Sequence, residues 1–444
     1  MTTLSPNTSI MPSTAMVDAG GHLNIGGCDT VELAGRFGTP LWVMDEETIL
    51  QAGRALKEGL SVYPNARGLY AGKAFLCMAM CYLVRRMGMG LDVVSEGEMF
   101  TAEKAGFPKH LIYVHGNNKS EAEIRHAIES NGPKIVVDSL SELEMCARIA
   151  AETNVRARIL IRVIPDVEPD THHHIVTGHA KSKFGVPLDE LGAILENAKS
   201  KNKHIDLLGL HAHIGSQSKE LQPFLETVDI LADLYKEAKD LHGLELPFLD
   251  VGGGLGITYT EDDKPAPIYD WARQVAEKTL SAFKNRRLNL PELLVEPGRS
   301  VVGPAGTTLY TVGHTKKLPD GTEYIAVDGG MADNPRPITY GAKYTPMVAN
   351  RMNSASSKTP AAIVGRYCES GDIIVEEAYL SAQTGDLIAV FATGAYNYSM
   401  ASNYNRTGRP ACVLVKDGQA EVIIERESNA DLINKDRVPE RLKD

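Results

Sequence analysis

The feature that most constrains the fold is a regular alternation of short apolar runs and amphipathic stretches between residues 68 and 295. The runs are rich in Val, Ile and Leu, and helical patterns such as 219–241 separate most of them. This alternation predicts parallel strands joined by helical crossovers, and eight units in about 250 residues fit a (β/α)8 barrel. An open doubly wound sheet is the alternative. The predicted strands are 68–71, 91–94, 111–114, 134–137, 158–163, 207–211, 247–251 and 293–295.

The rhythm changes after Gly298, where helical periodicity largely stops. The short runs that follow predict an all-β barrel or sandwich, to which the N-terminal arm contributes a short strand near 22–25. We therefore predict an α/β chain with a barrel over 46–298 and a β domain formed by 1–45 and 299–444. The predicted strands of that domain are 307–312, 324–327, 361–364, 373–375, 387–391, 412–415 and 421–424.

Charge and hydropathy argue against a nucleic-acid-binding, membrane-spanning or secreted protein. The chain has 46 Lys and Arg against 57 Asp and Glu, a net charge of −11, which argues against a nucleic acid partner. No apolar run approaches the roughly 18 residues of a membrane span. The first basic residue is Arg36, so the charged start of a secretory signal is missing. We expect a cytoplasmic protein with no membrane partner.

Active sites of βα barrels lie at the carboxyl ends of the strands, and polar or glycine-rich residues follow every predicted strand here. Lys73 follows the first strand among small and apolar neighbours. Such surroundings lower the pKa of a lysine and favour a Schiff base, whereas a surface lysine is the simpler alternative. The candidate residues at these ends are Lys73, Asp92, Arg162, His213, Ser216, Gly253, Gly254, Glu296, Pro297, Gly298 and Arg299.

Three of these strand ends together suggest a phosphate site. The glycines 252–254 expose backbone N–H groups, Ser216 offers a hydroxyl, and Arg299 offers a charge. A triple glycine alone is more often a tight turn. The combination of three elements, near the place where barrels commonly bind phosphate, makes the anion site the stronger interpretation.

The histidines at strand six fit either a metal or an aromatic cofactor. His211 and His213 have the spacing of metal ligands, but no further acidic or imidazole set completes a site, so we predict no metal. An imidazole can instead stack on a ring, and Glu296 would hold a pyridine nitrogen protonated. With Lys73 and the phosphate site, these residues match pyridoxal 5'-phosphate (PLP). The run 172–174, also metal-like, is more simply a loop at the mouth of the site.

The β domain adds candidates for substrate contact. Cys368 is followed by Glu369, and acidic neighbours would keep its thiol protonated as a proton donor. Arg336 could bind a carboxylate through two hydrogen bonds, and Tyr340 and Tyr396 could add hydroxyls. Each is otherwise an ordinary surface loop residue.

Five motifs, in this order, resemble the alanine-racemase-like, fold type III, PLP-dependent decarboxylases. The match extends over nearly the whole chain from about Pro40, and is strongest to the branch of that family acting on diaminopimelate. As a set the motifs are highly specific, although several are shared with ornithine and arginine decarboxylases. They are THHHIVTG (171–178), SKFG (182–185), HIGSQ (213–217), EPGR (296–299) and CESGD (368–372).

The resemblance implies decarboxylation of meso-2,6-diaminopimelate to L-lysine and CO₂, the last step of lysine biosynthesis. Lys73 would carry PLP, His213 would stack on its ring and Glu296 would face its nitrogen. Cys368 would protonate the product. It further implies an obligate homodimer in which the partner donates Cys368 and Glu369. Phosphate or substrate carboxylate would be held by Ser216, Gly254, Gly298 and Arg299, and substrate by Arg336, Tyr340, Glu369 and Tyr396, the last also touching PLP.

Three other functions remain open at this point. A decarboxylase of D-lysine, D-ornithine or arginine would share the fold but would not need a distal arginine contact. A racemase needs two bases, whereas the candidate residues for proton transfer in this sequence are one lysine, Lys73, and one cysteine, Cys368. A catalytically silent PLP carrier would be expected to lose Lys73 or Cys368, and both are present.

Overall fold

The computed structural model describes residues 5–167, 182–354 and 356–443. Within these residues no helix is both long and apolar enough to cross a membrane. The chain forms two compact units. One comprises Ile49–Gly303 together with the N-terminal residues up to Ser9, and the other comprises Ile10–Thr48 together with the residues from Pro304 onward.

The strands and helices are numbered in chain order. The strands are β1 (Met16–Val17), β2 (Leu23–Ile25), β3 (Cys28–Asp29), β4 (Leu41–Asp45), β5 (Ala66–Ala71), β6 (Gly90–Val93), β7 (Ile112–Val114), β8 (Lys134–Val137), β9 (Ala157–Arg162), β10 (Ile205–His211), β11 (Phe248–Asp250), β12 (Glu292–Val295), β13 (Gly306–Lys317), β14 (Glu323–Val327), β15 (Pro346–Val348), β16 (Ala361–Val364), β17 (Ile373–Ala378), β18 (Leu387–Phe391), β19 (Ala411–Lys416) and β20 (Gln419–Ile424). The helices are α1 (Thr30–Phe37), α2 (Glu46–Leu60), α3 (Met78–Arg86), α4 (Glu96–Lys104), α5 (Glu121–Glu129), α6 (Leu140–Thr153), α7 (Leu188–Ser200), α8 (Gln222–His242), α9 (Ile268–Asn285), α10 (Arg299–Val302), α11 (Arg336–Tyr340) and α12 (Asn429–Ile433).

The first unit is a closed barrel of the parallel strands β5 to β12, in which β12 pairs with β5. The predicted (β/α)8 barrel is therefore confirmed, and the open sheet is excluded. Parallel strands covered by helices are buried on both faces, and β6, β7 and β8 are buried at every position. This is why these strands appear in the sequence as continuous apolar runs.

Serines begin three of the barrel helices. The side chains of Ser95, Ser120 and Ser139 each accept a hydrogen bond, 3.2 Å long, from the backbone N–H of a glutamate three residues later. A serine cap of this kind stabilises a helix by about 1 kcal/mol. Each cap ends the loop that follows strand β6, β7 or β8, so these loops are short and their geometry is fixed at the carboxyl end of the barrel.

The barrel interior is filled by apolar side chains, so it is a packed core and not a pore. The contacting residues come from six strands around the barrel, and each is at most 9% exposed. Burial of one such side chain contributes about 1.5–3 kcal/mol. They are Leu69, Tyr113, Val136, Leu160, Leu208 and Leu294.

The second unit is built on a β-sheet in the order β17-β16-β14-β13-β4-β19-β20, with β18 also paired to β13. Every strand predicted after residue 298 is present, which confirms the β domain and the contribution of the N-terminal arm. The arm contributes more than was predicted. β4 lies between β13 and β19 and all its residues are buried, including Trp42. This strand was not predicted because it stands before the regular alternation that begins at residue 68.

Candidate active site

Lys73 lies on a 3-10 turn, Gly72–Ala74, at the carboxyl end of β5. Its Nζ is 3.8 Å from Oδ2 of Asp92, a residue of β6 whose side chain is fully buried, while the lysine side chain is 36% exposed. A Cβ on Gly72 would lie 2.8 Å from the carbonyl oxygen of Asp92, so the turn approaches β6 too closely for a larger residue. The amine is thus held at the mouth of the barrel by a buried carboxylate.

Five buried titratable residues, from strand ends on both sides of β5, meet in the barrel mouth that carries Lys73. His115 Nε2 lies 3.1 Å from Glu296 Oε1 and 3.6 Å from Asp92 Oδ1, and His211 Nε2 lies 3.3 Å from the same Glu296 oxygen. Among the described residues, neither oxygen of Asp92 and neither ring nitrogen of His211 has a hydrogen-bond partner. We call Asp92, His115, His211, Asp250 and Glu296 the buried acid–imidazole group.

Burial and neighbouring charges shift the pKa values of Asp250 and Glu296 in opposite directions. Burial and repulsion from Glu296 raise the pKa of Asp250 well above its usual range. Burial also opposes ionisation of Glu296, but His115 and His211 outweigh it and hold the pKa of Glu296 well below its usual range. Burial lowers the pKa of His211 to about 4. At neutral pH, Glu296 is therefore ionised, and Asp250 keeps its proton to a higher pH than Glu296 does.

The glycine loop after β11 lies against the loop after β10. A Cβ on Gly253 would lie 1.9 Å from the carbonyl oxygen of Glu296. Gly254 has φ of +117°, and its Cβ would lie 2.2 Å from the carbonyl oxygen of Gly215. The N–H of Gly253 donates to Nδ1 of His213, at 3.2 Å. Because only glycine fits, the loop brings backbone groups close to the imidazole.

Arg299 begins α10, and its guanidinium lies among hydroxyl groups. It donates to Oγ of Ser216 at 2.9 Å and to the hydroxyl of Tyr259 at 2.5 Å. The arginine is only 7% exposed. A buried cation bonded to two hydroxyl groups suits an anion such as phosphate.

Arg162 completes the barrel residues predicted to contact a cofactor. It ends β9, is 8% exposed, and lies over the ring of Phe184 with Cζ 4.5 Å from the ring centroid. The structure thus brings Lys73, Asp92, Glu296 and Arg162 to one end of the barrel, as strand-end placement predicted. A cation, an ionised carboxylate and an anion site in one mouth can bind a charged heteroaromatic phosphate.

Comparison with known proteins decides the family. The family described as "Pyridoxal-dependent decarboxylase, pyridoxal binding domain" matches residues 48–303. A diaminopimelate decarboxylase of Synechocystis sp. is 44% identical, over 99% of this chain and 95% of that protein. The chain belongs to the diaminopimelate decarboxylase family of PLP-dependent enzymes. A diaminopimelate decarboxylase of Halalkalibacterium halodurans is 43% identical, over 95% of this chain and 97% of that protein.

The fold agrees with this family over almost its full length. The crystal structure of diaminopimelate decarboxylase from M. jannaschii, in complex with L-lysine, superposes with a TM-score of 0.88 at 35% identity. The match covers 97% of this chain and 99% of that one. The match therefore includes both units of this chain.

The β unit of the decarboxylase holds the predicted substrate residues. Arg336 is buried and donates to the hydroxyl of Tyr344 at 2.6 Å. Tyr340, at the end of α11, is half-buried. Tyr396 is also half-buried and has φ of +61°, a left-handed conformation that is rare for a residue with a side chain.

Cys368 and Glu369 lie exposed on a loop between β16 and β17. The Cys368 N–H donates to Oδ1 of Asn405 at 3.1 Å, and Oε1 of Glu369 accepts from the hydroxyl of Tyr404 at 2.6 Å. Asp372, named in the same motif, is buried. Its carboxylate accepts backbone N–H groups at 2.6 and 2.8 Å, so this acid fixes the shape of the loop.

Three contributors to the site had no assigned role in the sequence: His115, Asp250 and Tyr259. The first two could have been found, because each stands at the end of a predicted strand. Tyr259 lies five residues beyond the glycine loop, and no sequence signal points to it. The motif at 171–178, including the histidines 172–174, lies outside the described residues.

Proposed function

We propose that this chain decarboxylates meso-2,6-diaminopimelate to L-lysine and CO₂ with PLP, as the last step of lysine biosynthesis. The observation that carries the proposal is that the ionised Glu296, the amine of Lys73 and the anion site at Arg299 lie in one barrel mouth. Full-length relatives at 43–44% identity are diaminopimelate decarboxylases. The diaminopimelate decarboxylase from M. jannaschii was solved in complex with L-lysine, which is the expected product.

The residues of the barrel mouth fit PLP group by group. Lys73 offers an amine to the aldehyde, and Glu296 offers a carboxylate to the ring nitrogen. The phosphate suits Ser216 and Arg299, with N–H groups from the glycine loop. Unpaired buried polar atoms support this fit, since the acid–imidazole group leaves polar atoms of Asp92, His115, His211 and Glu296 without hydrogen-bond partners among the described residues. Remaining contacts are assigned to His213, Asp92, Arg162, Gly253, Gly254, Pro297, Gly298 and Tyr396.

When bound, PLP supplies an electron sink for the pair left behind as the bond to the carboxylate breaks. The protein residues supply charge, orientation and a proton. Glu296, being ionised, would keep a proton on the ring nitrogen of the cofactor. The carboxylate of one α-carbon leaves as CO₂, and the Sγ proton of Cys368 goes to that carbon to give L-lysine. Proton uptake from solvent then restores the thiol.

The far end of the substrate carries an ammonium and a carboxylate, and so needs contacts of both signs. We assign the carboxylate to Arg336, supported by the hydroxyl of Tyr340, and the ammonium to Glu369. Tyr396 is assigned to substrate and cofactor together. Its left-handed backbone costs about 1 kcal/mol, and strain of this kind is concentrated at functional sites.

We further propose a homodimer in which each protomer donates Cys368 and Glu369 to the site of its partner. The support is the exposure of both side chains, although the proposed chemistry requires them at a reacting centre shielded from water. A cytoplasmic location follows from the proposed biosynthetic role. Sedimentation of the purified protein would test the dimer, and mixing of Lys73→Ala with Cys368→Ala protomers would test sharing. Recovery of about a quarter of wild-type activity in the mixture is expected, whereas no recovery would contradict shared sites.

The deciding experiment measures release of CO₂ and lysine from meso-diaminopimelate by the purified protein with PLP. D-Lysine, L-ornithine and L-arginine are the parallel substrates, and Arg336→Met is the matched variant. We expect release from diaminopimelate alone and a raised KM in the variant, because the distal carboxylate loses its cation. Release only from a basic amino acid would keep the fold and the Lys73 chemistry but overturn the substrate.

A further inference from the structure

We propose that the N-terminal residues Ser5–Thr8, which we call the N-terminal clip, position the glycine loop for the phosphate of the cofactor. Asn7 is the positioning residue. The proposal rests on the proposed function, since it takes the glycine loop as the phosphate site. The clip lies more than 240 residues before that loop and outside the segment 48–303 that matches the family.

Asn7 is fully buried, and its side-chain amide both donates and accepts hydrogen bonds. Nδ2 donates to the carbonyl oxygens of Gly256, at 3.2 Å, and Ala266, at 2.8 Å. Oδ1 accepts the N–H of Ile268 at 2.9 Å, and the backbone oxygen of Asn7 accepts the N–H of Thr258 at 3.0 Å. One side chain and its carbonyl thus fix both ends of the segment that follows the glycine loop.

The clip itself is held in one conformation. Pro6 is the first residue of a 3-10 turn, Pro6–Thr8, where its fixed φ favours the turn. Ser5 Oγ donates to Oδ1 of Asn7 at 2.8 Å, and Thr8 Oγ1 donates to the carbonyl oxygen of Ser5 at 2.8 Å. These contacts within the clip therefore fix the orientation of the Asn7 side-chain amide.

A short chain of hydrogen bonds connects Asn7 to the phosphate residues. Gly256, whose carbonyl Asn7 binds, donates its N–H to the carbonyl oxygen of Ser218 at 2.8 Å. Ser218 in turn donates its N–H to the carbonyl oxygen of Gly254 at 2.9 Å. Gln217 adds a two-point contact with the backbone of Ile257, at 2.7 and 3.2 Å. The glycine loop is thereby joined to the loop that carries the phosphate ligand Ser216.

The clip also lies against α10, the helix that begins with Arg299. It therefore contacts one of the three elements of the anion site directly and is connected to a second, the glycine loop, through Gly256 and Ser218. A glycine-rich loop loses more conformational entropy than other segments when it binds a ligand. A buried side chain that fixes the loop in advance lowers that cost, so removal of Asn7 should weaken binding of phosphate in particular.

The test compares PLP with pyridoxal, which lacks the phosphate, on full-length protein freed of cofactor. Fluorescence titration gives both dissociation constants for wild type and for Asn7→Ala. We expect the PLP constant to rise at least about 10-fold and the pyridoxal constant to change less than about 3-fold. Thr279→Ala is the matched control, because its buried hydroxyl lies on α9, outside the clip and the anion site, and bonds to the carbonyl oxygen of Val275; both constants should stay near wild type.

An equal loss for the two ligands would overturn the proposal, because a general loosening of the barrel does not discriminate phosphate. If the wild type itself binds both ligands equally well, the phosphate site of the proposed function fails, and the clip with it. Should Asn7→Ala not fold, Ser5→Ala removes the bond to Asn7 Oδ1 and an acceptor of the Ile268 N–H, and leaves the amide in place. That variant should show the same selective loss at about 3-fold, and no selectivity there would also refute the positioning role.

Discussion

Glu296 and Asp250 are neighbouring buried carboxyls, yet neutralising them should have very different consequences. His115 and His211 hold the pKa of Glu296 well below its usual range, whereas burial and Glu296 itself raise the pKa of Asp250 well above its usual range. We therefore predict that Glu296→Gln removes a charge that the reaction uses, and that Asp250→Asn replaces a protonated carboxyl by a neutral amide. Asn keeps an oxygen to accept the Gly252 N–H, now 2.9 Å from Asp250 Oδ1.

The magnitude follows from the burial of Glu296, whose side chain is 2% exposed. A charge at hydrogen-bond distance from a protonated ring nitrogen, about 2.8 Å, contributes about 6 kcal/mol at an effective dielectric constant of about 20. The dipole of the glutamine amide replaces part of this. A net loss of about 3–4 kcal/mol in the transition state corresponds to a kcat lower by about 10²–10³-fold.

The assay is CO₂ release from meso-diaminopimelate at saturating PLP and substrate. Glu296→Gln should lower kcat by about 10²–10³-fold, while Asp250→Asn should stay within about 3-fold of wild type. Absorption spectra of both variants, recorded against pH, show whether cofactor is bound. Equal losses in the two variants, or a Glu296→Gln kcat within 3-fold of wild type, would refute the assigned ionisation states.

Three further outcomes follow from buried polar groups of the barrel. Burial lowers the pKa of folded His211 to about 4, whereas the pKa of an unfolded histidine is about 6.5. The free energy of unfolding should therefore fall by up to about 3 kcal/mol as the pH decreases from 6.5 to 4. Urea titrations of His211→Asn should lack most of this pH dependence. Lys119 Nζ lies 2.6 Å from Glu142 Oε1 with both side chains buried, so Lys119→Met should lower the free energy of unfolding by about 3–5 kcal/mol, and Lys119→Met with Glu142→Leu should recover much of it by chemical denaturation. Arg299→Lys loses the forked contacts to hydroxyls and should raise the PLP dissociation constant by about 10-fold or more with little change in thermal unfolding of the cofactor-free protein; an unchanged constant would remove Arg299 from the phosphate site.

The barrel was predictable because its signal is local. The run at 134–137 and the helix after it are recognisable from a window of about 15 residues, and right-handed crossovers leave few ways to arrange eight such units. The placement of Lys73 and Glu296 in one mouth followed from their positions after strands. β4 was not predicted because it stands before the regular alternation that begins at residue 68, and its partners β13 and β19 lie far away along the chain.

The chain order of strands, the (β/α)8 count and the kinds of reactive side chain at the strand ends were determined by the sequence alone. Only the tertiary structure decided that the pKa of Glu296 is lowered while that of Asp250 is raised, because desolvation and neighbouring charges depend on what folds around each carboxyl. The same is true of Asn7, whose buried bonds join segments about 250 residues apart. Periodicity reports which face of an element is buried, but charge states and long-range hydrogen bonds exist only once distant segments have met.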